Sequence, residues 1–249
     1  MWRRLAILPG LVAVWQLAAL AAGGRAYILP GPWEVLLAGV ARWDVIGEHA
    51  LVTFAEVIAG LVVGGVCGAG TALLMASYRP AWRWLMPALV VSQAIPVFAI
   101  APILVLWFGY GMASKVVMAT LIIYFPVTTA FFDGLRRTDG GWLDLARTMG
   151  GTRQRILWRI RVPAALPSLA SGLRVAAAVA PIGAVVGEWV GSSAGLGYLM
   201  LHANARMQVP LMFAALVTLA MFGVALYIAV DWLLRRALYW QRDTLPSED

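Results

Sequence analysis

The sequence predicts an all-α integral membrane protein, with about six transmembrane helices and a cytoplasmic helix-turn-helix loop. Three observations carry this expectation. Hydrophobic residues make up 62% of the chain and charged residues 12%, and the mean hydropathy is +0.82, far from an average soluble domain. Six apolar runs are long enough to cross a bilayer core: 5–22, 51–76, 85–108, 116–132, 166–186 and 211–230. Fourteen of the nineteen basic residues fall in one alternating set of loops, which the positive-inside rule makes cytoplasmic together with both termini. The opposite set holds Arg25, Arg42, Lys115 and Arg206, and Arg174 lies within a span. At 249 residues one transmembrane domain, 1–249, is expected.

The first run follows Met1-Trp2-Arg3-Arg4 and ends in Ala19-Leu20-Ala21. It is either a retained span or a cleavable signal peptide, and its length favours retention. Tyr27-Ile28-Leu29-Pro30-Gly31-Pro32 predicts a stiff, extended exit. In the second run Glu56, Gly60, Gly64 and Gly68 recur at intervals of four, nearly on one face. Such a stripe lets another helix backbone approach, at a subunit interface or within the chain. Glu56 is expected near the outer end, within reach of water.

The third run is interrupted by Ser92, Gln93, Pro96 and Pro102. Interior prolines free backbone carbonyls, which lipid tolerates only beside protein or a water-lined cavity. Gln93 suits either a polar solute or a helix–helix hydrogen bond. Trp107-Phe108-Gly109-Tyr110-Gly111 reads as an aromatic belt and a tight outer turn, and the fourth run adds Tyr124 and Pro126. In the fifth, Arg174 lies about 10 Å beyond Pro167 along a helix, and either snorkels to the headgroups or faces a hydrated path. Glu188 is either part of an outer gate or an interfacial carboxylate, and 191–197 reads as a flexible outer loop. Ser92, Gln93, Pro96, Tyr124, Arg174 and Glu188 are the candidates for lining a solute pathway. Asp231, Arg235, Arg236 and Trp240 form an interfacial anchor before the tail Ser247-Glu248-Asp249.

The longest polar interruption, 133–163, holds seven of the eighteen arginines: 136, 137, 147, 153, 155, 159 and 161. Within it Trp142, Leu145, Ala146 and Met149 recur at i, i+3, i+4 and i+7, one face of a short amphipathic helix. Asp144 is expected in its first turn, facing the positive end of the dipole. Gly150-Gly151 ends it, and Thr152 caps a second helix carrying Ile156, Leu157 and Ile160 on one face, which Pro163 and Pro167 stop. An apolar face without a core of its own points to a partner protein, and the rival reading is a basic loop whose arginines meet anionic headgroups.

This segment resembles the coupling loop of ABC-importer permeases, E-A-A-x3-G-x9-I-x-L-P. Asp144, Leu145, Ala146, Gly150, Ile160, Val162 and Pro163 occupy the motif positions with its spacing, with Asp for Glu, Leu for Ala and Val for Leu. Leu29-Pro30-Gly31-Pro32, the run 96–115 with Leu106-Trp107-Phe108-Gly109 and Ser114-Lys115, and Gly172-Leu173-Arg174 resemble the sulfonate, taurine and nitrate branch, which also takes in permeases for thiamine-pyrimidine precursors. The resemblance implies a type I importer fold and a permease for a small organic or oxyanion solute. It implies a second permease copy, an external solute-binding protein, and a cytoplasmic ATP-binding cassette ATPase that itself binds ATP and magnesium. It places the ATPase contact on Trp142, Asp144, Leu145, Ala146, Met149, Gly150, Gly151, Ile160 and Pro163, with no cofactor in this chain.

Other classes fit poorly. The lone lysine, Lys115, follows Ser114, so no phosphate-binding loop exists here. No serine-elbow or zinc-protease motif occurs, and no catalytic or metal-ligating residue is expected. Cys67 is the sole cysteine, and His49 and His202 fall in expected loops, which opposes an electron-transfer subunit. The net charge of +7 follows the loops and implies lipid rather than nucleic acid. A secondary transporter or channel not powered by ATP is the main rival. It calls for repeats or intramembrane proton relays, whereas Glu56, Glu188 and Asp231 are expected near span ends.

Overall fold

The apolar runs fold as helices. The computed structural model describes residues 2–23, 25 and 27–241, with side chains from Pro9 onward, so the side chains of Arg3 and Arg4, and Arg242 with the 247–249 tail, lie outside the described residues. The elements are α1 (Trp2–Ala21), α2 (Pro32–Ala41), α3 (Trp43–Ser77), α4 (Arg79–Ala94), α5 (Val97–Phe108), α6 (Met112–Arg136), α7 (Gly140–Thr148) and α8 (Arg153–Ile156). A π-helical turn (Leu157–Arg161), α9 (Val162–Gly191), α10 (Leu196–Ala205) and α11 (Val209–Ala237) follow.

Four helices among the described residues are long and apolar enough to cross a membrane: α3, α6, the rod Arg153–Gly191 and α11. The expected third span is not one helix but the pair α4 and α5, bent by 101°. The break falls at Ile95-Pro96, where the proline forces its predecessor into extended backbone (φ −89°, ψ 116°). Pro87 and Pro102 stay inside helices, so of these prolines Pro96 alone breaks the run. The first run forms α1, and Trp15 ties it to the fold by donating to the Pro30 carbonyl at 3.1 Å and stacking on Phe213. Residues 27–29 turn rather than extend, and α2 follows at once, with Glu34 accepting from the Gly31 N–H.

The centre of the molecule is α6 wedged between α3 and α9. The glycine stripe of α3 faces α6 within this chain: a Cβ at Gly64 would lie 2.7 Å from Ile123, and one at Gly68 3.0 Å from the Tyr124 carbonyl. On α9 a Cβ at Gly172 would meet the Pro126 carbonyl at 2.9 Å, and one at Gly183 the Ala119 Cα at 2.6 Å. Val57, Ala119, Ile123, Val127, Ala176, Ala180 and Ala184 fill the shared core. The stripe is therefore intrachain packing, with backbones in near contact.

Pro163 and Pro167 do not stop the second loop helix. The chain runs unbroken from Arg153 to Gly191, because the wider π turn carries it past the first proline. Val162 N–H reaches back to the Leu157 carbonyl, and the N–H that Pro163 lacks is not called upon.

These contacts predict an asymmetry among glycines. Gly183→Val should overpack the α6–α9 contact by about 1–3 kcal/mol and lower the unfolding temperature in detergent, whereas Gly70→Ala, which faces open space inside a helix, should not lower it. Equal unfolding temperatures for the two variants would contradict this packing.

Candidate functional site

In the 133–163 loop, α7 is a short helix held at both ends and left bare along one side. Asp139, not Asp144, caps its N-terminus by accepting from Trp142 N–H at 3.2 Å. Asp144 lies a turn further on and pairs with Arg147 at 2.7 Å on the open surface. The C-terminus closes as the sequence predicts. Gly150 takes φ +76°, Gly151 N–H bonds the Ala146 carbonyl at 2.9 Å, and Gly150 N–H bonds that of Arg147 at 2.9 Å. Thr152 then caps α8 through Arg155 N–H at 3.4 Å.

No residue of α7 is buried, and Trp142, Leu145 and Met149 are 59%, 62% and 78% exposed. With Ala146, Ile160 and Pro163 they line an apolar groove of about 600 Å³ that Trp240 and Gln241 close at its far side. Ile156 and Leu157 turn inward instead, so the second helix splits its apolar residues between core and groove. Arg161 fastens the loop to the bundle by donating twice to the Leu135 carbonyl, at 3.0 and 2.7 Å.

Ser92, Gln93 and Tyr124 are brought together in one cavity of about 310 Å³ at the α4–α5 bend, beside Pro96. Ser92 donates to the Leu89 carbonyl and Tyr124 donates to Thr71, both internal to the chain. Gln93 is exposed and has no hydrogen-bond partner among the described residues, so it makes no helix–helix hydrogen bond within this chain.

Arg174 and Glu188 lie elsewhere. Arg174 does not stand alone, because it pairs with Asp231 of α11 at 2.6 Å, and Asp231 also holds Arg235 at 2.8 Å. Glu188 is 1% exposed and so is not an interfacial carboxylate. It accepts from Thr53 at 2.6 Å and from the Gly197 N–H, while Leu196 N–H bonds Thr53 at 2.7 Å and Gly195 N–H bonds His49 at 3.0 Å. Three side chains from α3 and α9 thus cap the first N–H groups of α10. The stretch at 191–197 is accordingly pinned, and His49 and His202 lie in helices rather than loops. Glu56 and Lys115 also depart from expectation: neither meets water, and they form a buried pair at 2.8 Å between α3 and α6.

Sequence reasoning missed Thr53, Lys115 and Asp139. The signal for Asp139 was present, since an aspartate two residues before Gly141-Trp142 is a standard cap. Nothing local marks the other two. Glu188→Ala would strip an acceptor from buried donors and cost about 1–3 kcal/mol. Hydrogen exchange across 195–205 should then rise while exchange across α6 holds. Unchanged exchange in α10 would show that the cap does not hold it.

Comparisons with known proteins agree with this geometry. Residues 53–239 match the family described as binding-protein-dependent transport system inner membrane component. The chain is 55% identical to a probable ABC transporter permease protein of Haemophilus influenzae, over 94% of this chain and 96% of that one. It is 36% identical to the formylaminopyrimidine transport permease ThiX of Halalkalibacterium halodurans, over 93% of each. An inward-facing structure of the MetNI methionine ABC transporter shares the fold at a TM-score of 0.67 and 19% identity, over 78% of this chain and 96% of that one. A helical bundle with a bare apolar face on α7, and a family match over most of its length, make this chain a member of the binding-protein-dependent transport system inner membrane components, a permease subunit.

Proposed function

We propose that this chain, with a second copy of itself, forms the translocation path of an ATP-driven importer. A cytoplasmic ATPase docks on the α7 face, a solute-binding protein delivers from outside, and both termini are cytoplasmic. ATP and magnesium are bound by the ATPase, and this chain carries no cofactor. The observation that carries the reading is the exposed apolar row Trp142, Leu145 and Met149, held rigid by its two caps over an open groove. Val90, Val91, Phe98 and Leu106 on α4 and α5 are also exposed, which suits closure of the Gln93 cavity by the second copy.

The solute is a small organic molecule. A heteroaromatic of the formylaminopyrimidine kind fits better than a sulfonate, taurine or nitrate. Its support is the 36% identity to a permease of that name, and the pairing of both intraspan cations, Lys115 and Arg174, with carboxylates. An oxyanion calls for a free cation in its path, and a neutral ring calls for amide and aromatic contacts of the kind Gln93 and Tyr124 offer.

Three measurements test this reading. Ala146→Glu places an unpaired charge in a desolvated contact and costs a few kcal/mol, about 2 or more, so the ATPase should be lost on purification. Gly150→Val, which forces a branched side chain into positive φ, should do the same, whereas Arg155→Ala should retain the partner. Full retention and uptake in Ala146→Glu would overturn the docking face. Gln93→Leu is close in size and tolerated by lipid, so uptake should fall with membrane level intact, and normal uptake would remove Gln93 from the path. Reporter fusions after Arg136 and Arg236 should read cytoplasmic, and one after Gly111 external. An external reading at Arg136 would invert the topology.

A further inference from the structure

A second cleft opens on the other side of α7 from the apolar groove, with a volume of about 550 Å³. Arg79 of α4, Arg136 of α6, Arg147 of α7, Arg153 of α8 and Arg161 of the π turn all line it, and no carboxylate does among the described residues. Five guanidiniums from five elements converging on one space repel one another unless an anion lies among them. Two of them are held in place by the protein itself. Arg161 is fixed by its double hydrogen bond to the Leu135 carbonyl, and Arg136 lies over the rings of Trp82 and Phe132 at 5.5 and 5.7 Å. Among the described residues the sole carboxylate partner within the group is Asp144, paired with Arg147 where both side chains are mostly exposed, which neutralises little.

The chemistry of the cleft is that of phosphate recognition. Guanidinium forks match phosphate oxygens two at a time, and held in position they lose little freedom on binding. Trp82, a residue of interfacial character, also lines the cleft, at the end of the molecule richest in arginine. That end meets the leaflet that carries anionic lipid.

We propose that this cleft binds a phosphate group, carried by an anionic phospholipid or by free phosphate, and that the bound anion braces the α7–α8 loop against α4 and α6. The loop then has two working sides, one apolar and one for an anion. The inference does not depend on the identity of the solute or on ATPase docking.

The test uses the full-length chain in nanodiscs of phosphatidylcholine, with or without phosphatidylglycerol. Lipid retained after transfer to detergent is counted by native mass spectrometry. The wild-type chain should retain phosphatidylglycerol over phosphatidylcholine, and Arg79→Gln/Arg153→Gln should retain about tenfold less or lower, since each lost contact is charge-assisted. Arg137→Gln/Arg155→Gln, outside the cleft, should match the wild type. In a parallel arm, inorganic phosphate is titrated into phosphatidylcholine nanodiscs. A rise in unfolding temperature for the wild type but not the double variant identifies free phosphate as a ligand. Should the double variant not purify, Arg79→Gln alone should show a smaller loss in the same direction. Equal lipid retention by all variants, with no response to phosphate, overturns the proposal.

Discussion

Close backbone contact between α6 and its two neighbours is the constraint on which the rest of the structure depends. Glycines at 64, 68, 172 and 183 leave no room for a Cβ at normal distance, so α3 and α9 lie against α6 along much of its length. In lipid, where apolar surface gains nothing from burial against other apolar surface, such packing and interhelical hydrogen bonds carry the association. The tight core also allows polar groups to be buried. Lys115 and Glu56 meet at 2.8 Å with side chains 5% and 1% exposed, a geometry that recovers part of the cost of desolvating both. One turn of α3 away, Thr53 meets Glu188 of α9, and the two hold the start of α10.

The same core gives the 133–163 loop its mechanical character. α9 continues without a break through the π turn into α8, so the loop and the long apolar helix are one rod. Arg161 bonds that rod to the end of α6 at the Leu135 carbonyl, and α7 is set against it by the Gly150-Gly151 turn. Movement of a partner seated on α7 therefore has a short, hydrogen-bonded route into α9, and from there along Gly172 and Gly183 into α6. The bent pair α4–α5 stands outside this route and carries Gln93 at its bend.

Much of this was legible in the sequence, where the physics is local. Residues 142, 145, 146 and 149 share a face because helical spacing puts them there, and Gly150-Gly151 and Thr152 end and restart helices by backbone geometry and capping. Pro96 breaks its span through a clash with the preceding residue. The misreadings share a cause in contacts between residues far apart in the chain. Glu56 finds Lys115 from 59 positions away, and Arg174 finds Asp231 from 57. A charge judged alone in its span was expected to seek water, whereas the fold supplies a partner. Pro163 was expected to stop a helix because the π turn that accommodates it leaves no mark in residue type. α10 escaped notice because its start is stabilised by His49, Thr53 and Glu188 rather than by a cap of its own.

The central claim is that the bare face of α7 is the surface a cytoplasmic ATPase grips. Proximity can be read directly by cross-linking. Cys67 is the only cysteine in the chain, so Cys67→Ser gives a background free of other thiols. In that background Met149→Cys lies on the exposed apolar face and Arg155→Cys on α8 away from the groove. With a short bifunctional thiol reagent and cysteines introduced around the ATPase surface, Met149→Cys should give one strong permease–ATPase band and Arg155→Cys none. Equal cross-linking from both positions, or cross-linking from Arg155→Cys alone, would contradict the account.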